Sequence, residues 1–194
     1  MDNNRVIIKE TEVLSDNWYV LNKITFDYLR NDGVWQTQIR ESYDRGNGAA
    51  VFMFNKQTQN IILIRQFRMP SFLNGNESGF LIETCAGLLD KDNPEDCIKK
   101  EIREETGYQI QKVTKVFEAY MTPGAVTEQL HCFIAEYSDA MKLEQGGGLA
   151  HEQEDIEVLE MPFTDAIELL NTGKITDAKT IMLLQYAIIH KLMG

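Results

Sequence analysis

One stretch, Ala86 to Tyr108, reading AGLLDKDNPEDCIKKEIREETGY, constrains this chain more than any other. It opens at Gly87, carries a helix-start signal at Asn93-Pro94-Glu95 and closes on Gly107. The spacing therefore predicts a glycine turn followed by a helix over about 94–106. Proline suits the first helical turn, where a backbone N–H would have no partner inside the helix. Glu101, Glu104 and Glu105 stand at i, i+3 and i+4. At ~100° per residue the three carboxylates fall within roughly one quadrant of the helix surface. Ile98 and Ile102 occupy the neighbouring flank and can anchor the helix to a core.

Three clustered carboxylates repel one another, so they must stay in water, share protons or surround a cation. Magnesium answers that need: it prefers oxygen ligands, keeps several waters and takes a few carboxylates together with substrate phosphate oxygens. The alternative is a merely solvated face, because Glu95/Lys99 and Lys100/Glu104 are i,i+4 pairs.

The whole chain narrows the choice. Its 194 residues suit one domain, or one domain with an N-terminal extension. A net charge of −11 argues against a sequence-independent nucleic-acid binder, so any phosphate site must be local. The opening MDNNRVIIKE lacks the apolar centre of a secretion signal, and no apolar run reaches bilayer-spanning length. A membrane partner is not expected, and cytoplasm is the default location. The three cysteines, at 85, 97 and 132, form no C-x-x-C and have no paired histidine spacing, so a thiolate zinc site is not expected either.

Residues 5–11, 18–29 and 34–43 are β-branched and aromatic, with Asn31-Asp32-Gly33 as a break, and predict an antiparallel meander. This gives an N-terminal β extension over 1–45 ahead of a main domain over 46–194. AAVFMFN and IILIRQF read as a buried hairpin from whose end Arg65 and Arg68 emerge. Guanidinium donors match phosphate oxygens, and the expectation is Arg68 for a ligand and Arg65 for a structural pair. Glu83 stands in the apolar run FLIETC and needs a partner, either a metal or Arg65. Lys112–Met121 and His131–Tyr137 read as strands around a Thr122-Pro123-Gly124 turn. Gly146-Gly147-Gly148 then opens an expected mobile loop carrying Glu152 and Glu154, and such a loop can supply a general base that closes over substrate. Glu154 is the first choice and Glu152 the second. Two helices, about 162–171 and 177–192, end the chain.

The run Lys100-Glu101-Ile102-Arg103-Glu104-Glu105-Thr106-Gly107-Tyr108, with Gly87 upstream, resembles the box of the Nudix hydrolases, G-x5-E-x7-R-E-U-x-E-E-x-G-U, where U is bulky and apolar. Lys100 replaces the arginine. The first half is one residue short, so the first acid falls on Asp92 or Asn93, neither of which is Glu. The resemblance implies an α/β fold, the Nudix α/β/α sandwich with a mixed sheet, preceded by an N-terminal antiparallel β-sheet. It implies a magnesium cofactor, with manganese as a possible substitute, held by Glu101, Glu104, Glu105, the Ala86 carbonyl and Glu154. Catalytic roles fall on Glu154, Glu152 and Glu105.

Similarity extends through DRGNGA, LIRQFR, NGNESG, CAGLLD, FIAEYSD and EDIEVLE to the nucleotide-sugar branch. That branch implies a homodimer built through the N-terminal sheet, with Trp18, Arg40 and Glu41 reaching a shared substrate site and Arg68, Gly87, Glu128 and Lys179 completing it. The implied reaction is hydrolysis of a nucleotide sugar at its diphosphate, GDP-mannose to GMP and mannose 1-phosphate being the expected case. ADP-ribose or another nucleotide sugar is the runner-up. A non-catalytic nucleotide-sugar sensor is the contrasting class, disfavoured because such proteins lose box acids that this chain keeps.

Overall fold

The computed structural model describes residues 5–89 and 92–193. The chain divides into two compact units. The first begins with an antiparallel meander of β1 (Val6–Asp16), β2 (Val20–Leu29) and β3 (Trp35–Asp44). Gly33, at φ +79°, turns the chain between β2 and β3, as the Asn-Asp-Gly signal predicts. Val6, Ile8 and Val13 are exposed on one face of this sheet and Trp35 and Ile39 on the other, so both faces carry exposed apolar side chains.

This unit also contains Tyr120–Gln129, which the sequence reading assigned to the main domain. Tyr43 holds that segment by donating its N–H to the Ala125 carbonyl (2.8 Å) and accepting the Thr127 N–H (3.1 Å).

In the second unit β4 (Gly48–Asn55) is buried at all its positions, so both its faces are covered. It pairs antiparallel with β5 (Asn60–Phe67), the predicted hairpin. A short α1 (Met69–Leu73) that the sequence reading missed follows, then β6 (Phe80–Glu83) beside β5 and β7 (Ala86–Leu88) beside β4. Next come α2 (Pro94–Glu101), β8 (Thr114–Tyr120) and β9 (Gln129–Glu136), the last parallel to β4. The chain ends with β10 (Glu157–Pro162), α3 (Phe163–Asn171) and α4 (Ala178–Ile189). The main strand order is β10-β5-β4-β9-β8, a mixed sheet as expected.

Strand alternation divides the core into two layers. Ala49, Val51 and Met53 join Cys97, Ile98 and Ile102 of the box helix in one cluster. Phe52, on the other face of β4, meets Phe163 of α3 (ring centroids 6.0 Å apart), and α4 buries Leu183, Leu184 and Ala187. No helix among the described residues is long and apolar enough to cross a membrane.

Candidate active site

The box helix starts where the sequence places it. Asn93 is its N-cap, accepting the N–H groups of Glu95 (3.1 Å) and Asp96 (3.0 Å). The position of the missing first acid thus serves as a cap. Two local expectations need correction. Gly87 lies in strand β7, not in a turn; a side chain there would overlap the Glu101 carboxyl group, so the glycine is needed for close approach. The helix also changes character at its acids, because Ile102–Thr106 is π-helical before Gly107 (φ +79°) caps it in the left-handed conformation.

The acids occupy distinct surroundings. Glu105 is 1% exposed and accepts the Ala86 N–H at 3.2 Å. Burial pushes its carboxyl up to about 8; Glu101 and Glu154 add to the rise, while the Cys85 thiol and the Ala86 N–H oppose it. Glu101 rises to about 7, again chiefly by burial and then by repulsion from Glu104, with Lys100 opposing. Glu104 lies 3.5 Å from Lys100, in the helical pair read from the sequence. Glu152 and Glu154 both repel Glu101, and Glu154 acts strongly on Glu105 as well.

These groups are hard oxygen donors, partly desolvated and mutually repulsive, and the Glu101 carboxyl group packs directly on the Gly87 backbone. That chemistry fits magnesium. Among the described residues no three carboxylate, imidazole or thiol side chains already form a metal shell. Magnesium draws much of its octahedron from water and substrate phosphate, so this agrees with the donor set.

The triglycine segment does not hang as the expected open loop. Gly147 and Gly148 donate their N–H groups to the carbonyls of Glu105 (2.8 Å) and Glu104 (3.0 Å), capping the last turn of the box. A Cβ on Gly146 would lie 2.6 Å from the Glu105 carbonyl oxygen, so the two backbones are in direct contact. Arg103 pairs with Glu144 at the edge of the same junction. Beyond it, Glu154 accepts the Leu149 N–H at 2.9 Å, and its side chain lies against Gly148.

A second cluster centres on Glu83, 1% exposed. It pairs with Arg68 and Lys179, which corrects the expectation of Arg65. Register explains the difference: Glu83 stands opposite Ile64, whereas Arg65 stands opposite Ile82 and so projects from the other face. Arg65 pairs instead with its other cross-strand neighbour, Glu157. Burial alone would raise Glu83, but the fork from Arg68 and the charge of Lys179 outweigh it and hold the carboxyl below its ordinary range. Lys179 is 13% exposed and also contacts Asp177 (3.0 Å), so it is not a solvated lysine. Asp177, unmarked in the sequence reading beyond its helix-start position, caps α4 through the Thr180 N–H (3.0 Å).

Four expected substrate residues lie in the first unit. Trp18 is 74% exposed and edge-on to Tyr19. Arg40 bonds the Ile39 carbonyl and the Gln38 side chain, and Glu41 is exposed opposite Lys23 on β2. Glu128, largely covered, stands 3.6 Å from Arg45, whose guanidinium lies over the Tyr19 ring.

Comparison with known proteins agrees with this architecture. Residues 5–43 match a family model described as the GDP-mannose pyrophosphatase NudK N-terminal domain, and residues 44–184 match the NUDIX domain. A GDP-mannose pyrophosphatase of Escherichia coli O1:K1 is 53% identical over 97% of this chain and 98% of its own length. One from Pectobacterium atrosepticum is 55% identical over 94% of both. A solved structure described as an ADP compounds hydrolase superposes with a TM-score of 0.71 at 17% identity, covering 99% of this chain and 96% of that one, and so shares the fold. With the domain model spanning most of its length and these relatives aligning nearly end to end, the chain belongs to the Nudix family of hydrolases.

Proposed function

We propose that this protein hydrolyses the diphosphate of a nucleotide sugar, GDP-mannose to GMP and mannose 1-phosphate, with magnesium as cofactor. The observation that carries the reading is near-full-length identity above one half to proteins named GDP-mannose pyrophosphatase, joined to an intact set of box acids. Glu101, Glu104, Glu105, Glu154 and the Ala86 carbonyl would hold the divalent ion, with manganese as a substitute. Such an ion, when bound, neutralises diphosphate charge and makes water a better nucleophile.

The chain's own groups supply the rest. Glu154 takes the proton from the water that attacks phosphorus, with Glu152 as second choice. The P–O bond of the anhydride breaks as the new one forms, and the departing phosphate leaves as an anion. Arg68 and Lys179 face that growing charge. Gly87 admits the substrate close to backbone.

Glu128 and the exposed Trp18, Arg40 and Glu41 contribute to the sugar and base ends. The apolar surface of the N-terminal sheet pairs two copies of the chain in the cytoplasm.

The test is nucleotide release from GDP-mannose, GDP-glucose, ADP-ribose and ADP-glucose with and without magnesium. Fastest magnesium-dependent turnover of GDP-mannose is expected. Preference for ADP-ribose would replace the substrate, and turnover of none would refute the reading.

A further inference from the structure

We infer that Glu83 is a positioning residue: it fixes Arg68 and Lys179 so that their remaining donors face a diphosphate while Arg68 stays off the box carboxylates. The inference rests on the function proposed above. Its basis is the way donors are shared. Arg68 gives Nε (2.8 Å) and Nη2 (3.0 Å) to the two oxygens of Glu83. A guanidinium has five N–H donors, so those on Nη1 and the outer one on Nη2 remain. The Arg68 side chain is 41% exposed while Glu83 is 1% exposed, so one edge is locked inward and the guanidinium still reaches solvent. Lys179 gives one proton to Glu83 and one to Asp177, which leaves a third.

The frame behind these groups is fixed at both ends. Asp177 Oδ2 accepts both the Thr180 N–H and its hydroxyl (2.6 Å), and Thr180 Oγ1 accepts the Thr84 N–H at 2.7 Å. Strand β6 and the start of α4 are thereby tied together beside the cations they present. Two carboxylates and two cations balance within this cluster, whereas burial and mutual repulsion raise Glu101 and Glu105 of the box.

Arg68 lies within the field of Glu105, so an unheld guanidinium has a competing carboxyl group to turn towards, and pairing with it would favour that group's charged form. An Arg68–Glu105 pair would remove a charge from the metal-holding set and a donor from the phosphate at the same time. Glu83 prevents both. A buried carboxylate flanked by two cations is a poor source of net stability, because desolvation offsets much of the attraction. Its geometry is therefore better accounted for by orientation of its partners.

The experiment compares wild type, Glu83→Gln, Glu83→Asp, the Arg68→Ala/Lys179→Ala pair and that pair combined with Glu83→Gln. The readouts are KM and kcat with GDP-mannose, the Kd of GDP by calorimetry, and Tm. Glu83→Gln should raise KM and the GDP Kd by about tenfold and lower kcat as well, because Arg68 and Lys179 both bind the diphosphate and face the departing charge. Glu83→Asp keeps the charge and should recover part of the loss. In the Arg68/Lys179 double variant, Glu83→Gln should add nothing, because the partners through which it acts are gone.

Wild-type KM and Kd in Glu83→Gln, or an additive effect in the combined variant, would overturn the inference. Should Glu83→Gln fail to fold, the Asp variant decides: a wild-type Kd there, with a lowered Tm, marks a purely structural residue. If instead the Arg68→Ala/Lys179→Ala protein binds GDP as wild type does, the phosphate-binding reading itself has failed.

Discussion

The Ala86 N–H donates to the Glu105 carboxylate at 3.2 Å, joining the strand that precedes the box to the acid that follows its helix. One backbone proton thus sets the direction of the most buried glutamate of the cluster. With the Cys85 thiol it also opposes the rise in that group's pKa.

This arrangement makes stability without metal depend on pH. The ordinary carboxyl value is 4.5, but the folded chain holds Glu101 to about 7 and Glu105 to about 8, both chiefly through burial. The folded state therefore keeps protons that the unfolded state has released, and the two groups titrate as a coupled pair. Their contribution is fully present below the unfolded value and is lost as pH rises through the folded ones. Magnesium bound at these acids would take the place of those protons, and its stabilising effect would grow over the same window. Thermal unfolding from about pH 5.5 to 8.5, with and without magnesium, should show a Tm gap that widens with pH. Glu105→Gln should flatten the metal-free profile. A gap independent of pH would contradict the assignment.

Glu154 and Glu152 are separable by charge neutralisation. Glu154 interacts with both Glu101 and Glu105, and its carboxylate is oriented by the Leu149 N–H. Glu154→Gln should lower kcat by about 10²–10⁴-fold, the range for a lost general base. Glu152 is half exposed, and Glu152→Gln should change kcat by less than about fivefold, as for most surface sites. The opposite ranking in steady-state rates would transfer the role.

Gly146 and Gly124 make a matched pair. Gly146 has φ +76° and would place a Cβ 2.6 Å from a backbone oxygen, whereas Gly124 has nothing within 4 Å. Gly146→Ala should destabilise by roughly 1–3 kcal/mol through left-handed strain and the clash. Gly124→Ala should stay within about 0.5 kcal/mol. Urea unfolding measures both, and equal midpoints would show that the contact with the box is not tight.

What was legible in the sequence was local. Asn93-Pro94 and Gly107 mark the ends of the box helix through their own capping and conformational preferences, and the alternation and continuity of apolar runs gave β2 to β5 nearly to the residue. The parts that escaped depend on pairing between distant segments. Whether Arg65 or Arg68 meets Glu83 is settled by the β5–β6 register, which no spacing within β5 reveals. Tyr120–Gln129 returns to the first unit through bonds to Tyr43, and the triglycine run looks flexible until its N–H groups are matched with the Glu104 and Glu105 carbonyls. The π turn was hidden for a related reason: its sequence is that of a good α-helix, and these outside bonds meet it at its C-terminal carbonyls.

That junction of glycine amides with the box carbonyls separates scaffold from tailoring. Because Gly147 and Gly148 fasten the loop through their backbone N–H groups, its point of attachment does not depend on the identity of the side chains that follow. Substitutions in the loop at positions other than Glu152 and Glu154 can therefore accumulate while those two carboxylates keep their register with the box.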